Sequence, residues 1–115
     1  MKTRTMILAA IAAAFAAVPA VAQQEKFGSK ELIEAAEKEG SLTYYTANFT
    51  EVEQEVVKEF NKTFPKIKVS IVRAPGGQLI TRIKTEAAAG KLAADVVDHS
   101  DRGLMKEIES LFADY

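Results

Sequence analysis

The chain has 115 residues, no cysteine, no tryptophan and a formal net charge of −1. That length leaves room for one small domain or part of a larger one, and zero cysteines rule out a disulfide framework. Fifteen basic against sixteen acidic residues, with no basic patch, argue against a nucleic-acid partner.

Lys2 and Arg4 precede the apolar run "MILAAIAAAFAAV"; Pro19 breaks it, and "AVA" leads into Gln23. A basic start, a short apolar stretch and an A-x-A site predict a secretory signal peptide over residues 1–22, cleaved between Ala22 and Gln23. The run is shorter than the roughly 20 apolar residues that span a bilayer, so a membrane anchor fits less well. The Ala-rich core is bacterial in character, which places the protein in the periplasm. Without Lys2 and Arg4, thirteen basic residues face sixteen acidic ones. In an oxidising compartment and without disulfides, residues 23–115 must hold together by an apolar core.

Along that stretch, "GSKELIEAAEKEG" predicts a short helix that Ser29 caps and Gly40 ends. "SLTYYTA" reads as a strand. "TEVEQEVVKEFNKTF" predicts a second helix, with Val52, Val56, Phe60 and Phe64 on one inward face. Thr50 and Glu53 have the spacing of a capping box, and Pro65 closes the segment. In "KIKVSIVRA", Ile67, Val69 and Ile71 alternate with Lys68 and Ser70, as on a strand. "PGGQLITRIKTEAAAG" predicts a loop and a third helix, with Leu79, Ile80, Ile83 and Ala87 inward and Gly90 as its stop. "AADVV" is a short buried strand. "SDRGLMKEIESLF" predicts a fourth helix with Leu104, Ile108, Leu111 and Phe112 on one face, capped by Ser100 or Asp101. Strands alternating with helices imply an α/β fold with three mostly parallel strands.

In open α/β sheets, ligands bind beyond the carboxyl ends of the strands. Three segments meet that rule: "TANFT" (46–50), "APGGQ" (74–78) and "DHSD" (98–101). Each leads into a helix N-terminus, where free N–H groups favour an anion. Asp98, His99, Ser100 and Asp101 include the only histidine of the chain. A zinc site needs three or four convergent ligands, whereas Asp98 and His99 are neighbours on a strand end and point apart. A Ser-His-Asp triad must converge in space, which three consecutive residues do not do. Two readings remain: a polar strand end in a ligand cleft, or a purely structural role with Asp101 as a helix cap.

The run "GSLTYYTANFTEVEQEVVKEFNKTFPKIKVSIVRAPGGQLITRIKTEAAAGKLAADVV" (40–97) resembles the N-terminal part of bacterial extracellular solute-binding proteins of ABC importers. It is similar in particular to the branch that includes ferric-iron binding proteins. The resemblance implies a two-lobed periplasmic binding protein fold that closes on its ligand about a hinge. Residues 23–115 then correspond to the N-terminal part of the first α/β lobe, a fragment without the second. The implied function is capture of a small ligand, an anion or a metal ion such as ferric iron, for import. Thr46, Ala47 and Asn48 would touch it from the first loop, Gly76, Gly77 and Gln78 from the second, and Asp98, His99 and Ser100 from the third. No catalytic residue, resident metal or cofactor is implied. The implied partners are the small-molecule or ion ligand and an ABC permease in the inner membrane, with a monomer when full length. The iron branch carries a histidine in the first loop and a glutamate after the third strand, where this chain has Phe49 and Ser100. An organic or phosphate-like anion therefore fits beside iron. Two other readings stand: a small secreted flavodoxin-like enzyme built on His99, and a stand-alone interaction module that pairs through an open edge strand.

Overall fold

The structure, a computed structural model, describes residues 26–114. The predicted signal peptide and its cleavage point lie outside the described residues.

Helix α1 (Lys30–Glu39) starts where the Ser29 hydroxyl accepts the Leu32 N–H at 3.2 Å. It ends at Gly40, whose φ of 70° lies in the left-handed region that a side chain resists. The chain turns there into strand β1 (Ser41–Thr46). Helix α2 (Thr50–Thr63), strand β2 (Lys68–Arg73), helix α3 (Gly76–Ala88), strand β3 (Val96–Asp98) and the short helix α4 (Arg102–Lys106) follow.

The order is therefore the alternation read from the sequence, and the fold is α/β. The strands form one parallel sheet in the order β2-β1-β3. Thr46 lies opposite Arg73 on one side and Asp98 on the other, so all three strands finish level. Parallel pairing puts the three following loops at one end of the sheet. The arrangement is consistent with the expected periplasmic binding protein lobe.

Side chains alternate across β1. Tyr45 enters an apolar cluster with Leu79, Ile80 and Ile83 of α3 and with Ile108. Its hydroxyl donates to Glu86 at 2.8 Å, and Arg82 pairs with the same carboxylate at 2.7 Å while lying over the Tyr45 ring. Thr46 turns to the other face and meets α2. There Phe64 packs against Phe60 and Phe27, and the Asn61 amide holds the carbonyls of Phe64 and Ile67 after the helix ends.

Several expectations need correction. The third strand is Val96–Asp98, starting after residues 93–95, and it is not buried: Val96 is 44% exposed. The apolar set on α2 is not one buried face: Val52 and Val56 are 55% and 52% exposed. Steps of four residues drift by about 40° around a helix of 3.6 residues per turn, so Val52 and Phe64 stand about 120° apart. The face turned to the sheet carries Glu53, Val57, Phe60, Asn61 and Phe64. The fourth helix also stops early. Ile108 has φ −117°, and the chain tightens into a 3₁₀ turn at Glu109–Leu111. Ile108 is buried, whereas Leu111 and Phe112 are exposed. No helix among the described residues is long and apolar enough to cross a membrane.

Candidate functional site

The pairing of the strands continues into the loops. Ala47 N–H bonds the Asp98 carbonyl at 3.3 Å, and Ala74 N–H bonds the Thr46 carbonyl at 3.2 Å. The Arg73 guanidinium reaches the Asn48 carbonyl at 3.3 Å. Loop one (residues 47–49) is thus bound on both flanks.

Its centre is a closed ring of hydrogen bonds. The Asn48 N–H donates to Thr46 Oγ1 at 3.0 Å. The Thr46 hydroxyl donates to Glu53 Oε1 at 3.1 Å. Asn48 Nδ2 donates to the same oxygen at 2.8 Å and to Asp98 Oδ2 at 2.7 Å. An amide nitrogen has two hydrogens, so Asn48 spends both on joining α2 to the end of β3. The Tyr44 hydroxyl adds a second bond to Asp98 Oδ2 at 3.1 Å. Burial, then hydrogen bonding to Glu53 and Asp98, raises the Tyr44 phenol above its usual value, so it stays a donor. Glu53 is 2% exposed. Burial alone would raise its carboxyl, but hydrogen bonds from Asn48, Tyr44 and Thr46 outweigh that and hold it below its ordinary value.

His99 works in the other direction. Its Nδ1 accepts the Asp101 N–H at 2.9 Å. An acceptor at Nδ1 places the proton of the neutral ring on Nε2. Nε2 is buried and meets no acceptor among the described residues. It lies against Gly76, where an added Cβ would come within 2.9 Å of it. Only glycine allows loop two to approach the ring this closely. Asp101 caps α4 by accepting from Gly103 and Leu104 at 2.8 and 3.1 Å.

Asp98 and His99 therefore point opposite ways, as the alternation along a strand requires. Asp98 ties loop three to loop one, and His99 packs it against loop two. The nine candidate residues separate by placement. Thr46 is fully buried, so its side chain organises the loop and offers no surface. Ala47 leans on the apolar core, while Asn48, Asp98 and His99 are half-buried. Gly76 sits under the ring; Gly77, Gln78 and Ser100 are exposed. Pro75, at the N-cap of α3, supplies no side-chain cap, so the first N–H groups of that helix keep no capping partner. No group of three histidine, cysteine or carboxylate side chains able to hold a metal ion forms among the described residues.

Glu53 was hidden by its local pattern. The Thr50–Glu53 spacing predicts a capping box, yet the N-cap is Phe49 and no side chain caps the helix. The carboxylate turns inward because the Thr46 hydroxyl at the end of β1 and the Asn48 amide of its loop donate to it there. Nothing within the helix sequence distinguishes the two outcomes.

A parallel sheet whose three loops lock together at the carboxyl ends of its strands is the α/β arrangement in which ligands generally bind at that end. The family model of bacterial extracellular solute-binding proteins matches residues 46–115, from the last residue of β1 onward, and the chain belongs to that family. Such proteins are the solute-binding components of ABC transporters. They take a small-molecule ligand outside the cytoplasm and act with a membrane permease, typically without catalysis. No curated protein matches the chain.

Proposed function

We propose that this chain captures a small anion, or a metal ion such as ferric iron, in the periplasm and delivers it to an ABC permease of the inner membrane. In this reading residues 1–22 direct export, and residues 23–115 form the part of the first lobe that carries one wall of the cleft. The observation that carries the reading is the convergence of three loops at one sheet end, cross-tied by Asn48–Asp98 and His99–Gly76. The ligand-facing groups are Ala47 and Asn48 from loop one, Gly76, Gly77 and Gln78 at the start of α3, and Asp98, His99 and Ser100 after β3. Thr46 supports them from beneath. The uncapped N–H groups and dipole of α3, a helix of 13 residues, favour an anion. Asp98 adds a carboxylate of the hard-oxygen type that suits iron.

The test is a titration of the ¹⁵N-labelled chain with inorganic phosphate, ferric citrate, spermidine and maltose. Saturable shifts confined to residues 46–48, 76–78 and 98–100 are expected with phosphate or ferric citrate. Shifts with spermidine or maltose alone would replace the ligand class. Absence of any saturable response to all four would overturn the reading.

A further inference from the structure

We propose that Glu53 is the positioning residue of the cleft: lying beneath the loops and touching no solute itself, it fixes the Asn48 side chain so that loops one and three form a single rigid wall. The inference rests on the solute-binding reading above and adds to it a residue outside the three loops.

Burying a carboxylate is costly unless the fold answers it with donors. The fold answers this one with Thr46, the last residue of β1, and Asn48 of loop one. One oxygen, Oε1, takes both the Thr46 hydroxyl and the Asn48 amide. Thr46 Oγ1 in turn takes the Asn48 N–H. Backbone and side chain of Asn48 are therefore held at once, from the same buried point. Helix α2 gains little from this: Glu53 does not cap it, and an apolar side chain in its place would join Val57 and Phe60 on the inner face. The beneficiary is Asn48. With its two amide hydrogens given to Glu53 and Asp98, its carbonyl Oδ1 is turned away from both carboxylates. Asp98 has Oδ2 engaged by Asn48 and Tyr44. No hydrogen bond from a described residue reaches Asn48 Oδ1 or Asp98 Oδ1, and Glu53 sets the spacing between them.

A packing role and a positioning role give opposite orders for two variants. Glu53→Met keeps the bulk and removes both oxygens; Glu53→Gln keeps one neutral acceptor. If Glu53 only filled space, methionine would be the better replacement and Asn48 would not notice. If Glu53 positions Asn48, hydrogen exchange of the Asn48 side-chain amide rises about threefold or more in Glu53→Gln and at least tenfold in Glu53→Met. The backbone spectrum of the sheet stays unchanged in both. The solute that shifts the wild-type chain binds at least tenfold more weakly to Glu53→Met.

Exchange is read with no solute present, using the full chain. Unchanged Asn48 exchange in both variants overturns this proposal alone, and so does full solute affinity in a variant whose Asn48 amide is released. A wild-type chain that responds to none of phosphate, ferric citrate, spermidine or maltose overturns the solute-binding reading and takes this proposal with it. Should Glu53→Met fail to fold, Glu53→Gln carries the same two readouts.

Discussion

Two adjacent residues of β1 stand in opposite chemical worlds. Tyr45 enters a hydrocarbon cluster with Leu79, Ile80, Ile83 and Ile108, and meets charge only at the Arg82–Glu86 pair, through its ring and its hydroxyl. Thr46 is as deeply buried, but on the other face, where its hydroxyl meets the Glu53 carboxylate. The first face is closed by apolar packing, which is non-directional and tolerant in register. The second is closed by hydrogen bonds, which fix distances and angles. Stability should therefore come mainly from the α3 side and loop geometry mainly from the α2 side. That division is testable by variants that strike one face and spare the other.

The largest effect belongs to the apolar face. Leu79 is fully buried at its centre. Leu79→Ala removes three carbons where Tyr45, Ile83 and Ile108 hold the space open, and should cost about 2–5 kcal/mol. Urea unfolding reads it. The Asn48–Asp98 tie should survive in the folded fraction, so the loop-one amide signals stay where they are. Movement of those signals in step with the loss of stability would erase the distinction between the faces.

Gly76→Ala comes second and strikes the junction of loops two and three. Its new Cβ meets His99 Nε2 at 2.9 Å and Leu104 at 3.7 Å. The ring must swing away from the Asp101 N–H, or α3 must shift at its start. Overpacking of this kind costs about 1–3 kcal/mol. The ¹⁵N signals of the imidazole report it: Nδ1 loses its acceptor signature while the apolar core spectrum holds. An unmoved His99 would show that loop two, and not the ring, yields.

Smaller again is the charge on the polar face. Glu53 holds its proton less readily in the folded chain than in the unfolded one. Its contribution is fully present above the ordinary value of 4.5 and is lost as pH falls through the lower folded-state value. Glu53→Gln should therefore cost about 1 kcal/mol at pH 7, the difference between a hydrogen bond to a charged group and one to a neutral group. The gap should narrow as pH falls below 4.5 and through the lower folded-state value. Unfolding midpoints of both proteins across that range decide it; a gap independent of pH would mean that the charge contributes nothing.

The two faces were also unequally legible in the sequence. Leu79, Ile80 and Ile83 follow helical spacing, and all three are buried. Ser29 and Gly40 mark the ends of α1 by residue type alone, because capping and a positive φ are local demands. The strand order of β1 between β2 and β3 was not written in any local pattern. On α2 the apolar spacing misled, since Val52 and Phe64 cannot share a face and a glutamate takes the inner position. Glu53 became visible only once Tyr44, Thr46 and Asn48 were placed around it, which depends on the tertiary fold. Ile108 likewise looks like one more helical residue, yet its burial coincides with the end of α4. What the sequence did carry about the cleft was direction: adjacent Asp98 and His99 had to diverge, and they reach separate loops.

The smallest effect lies on the outer side of α2. Val52 and Val56 line a shallow open depression with Glu51, Glu55 and Glu59. Half of each valine already meets water in the folded chain, so Val56→Ser removes little buried area. The adjacent pairs Lys58–Glu55 and Lys62–Glu59 are exposed i,i+3 contacts, worth a few tenths of a kcal/mol each. Val56→Ser should shift stability by less than about 0.5 kcal/mol and leave loop one untouched, although Val56 lies within one turn of Glu53. That contrast is the sharpest form of the comparison. Two residues three positions apart on one helix differ because one faces donors and the other faces solvent. A destabilisation above about 2 kcal/mol in Val56→Ser would show that this side is covered in the folded protein, and the division of labour between the two faces would have to be redrawn to include whatever covers it.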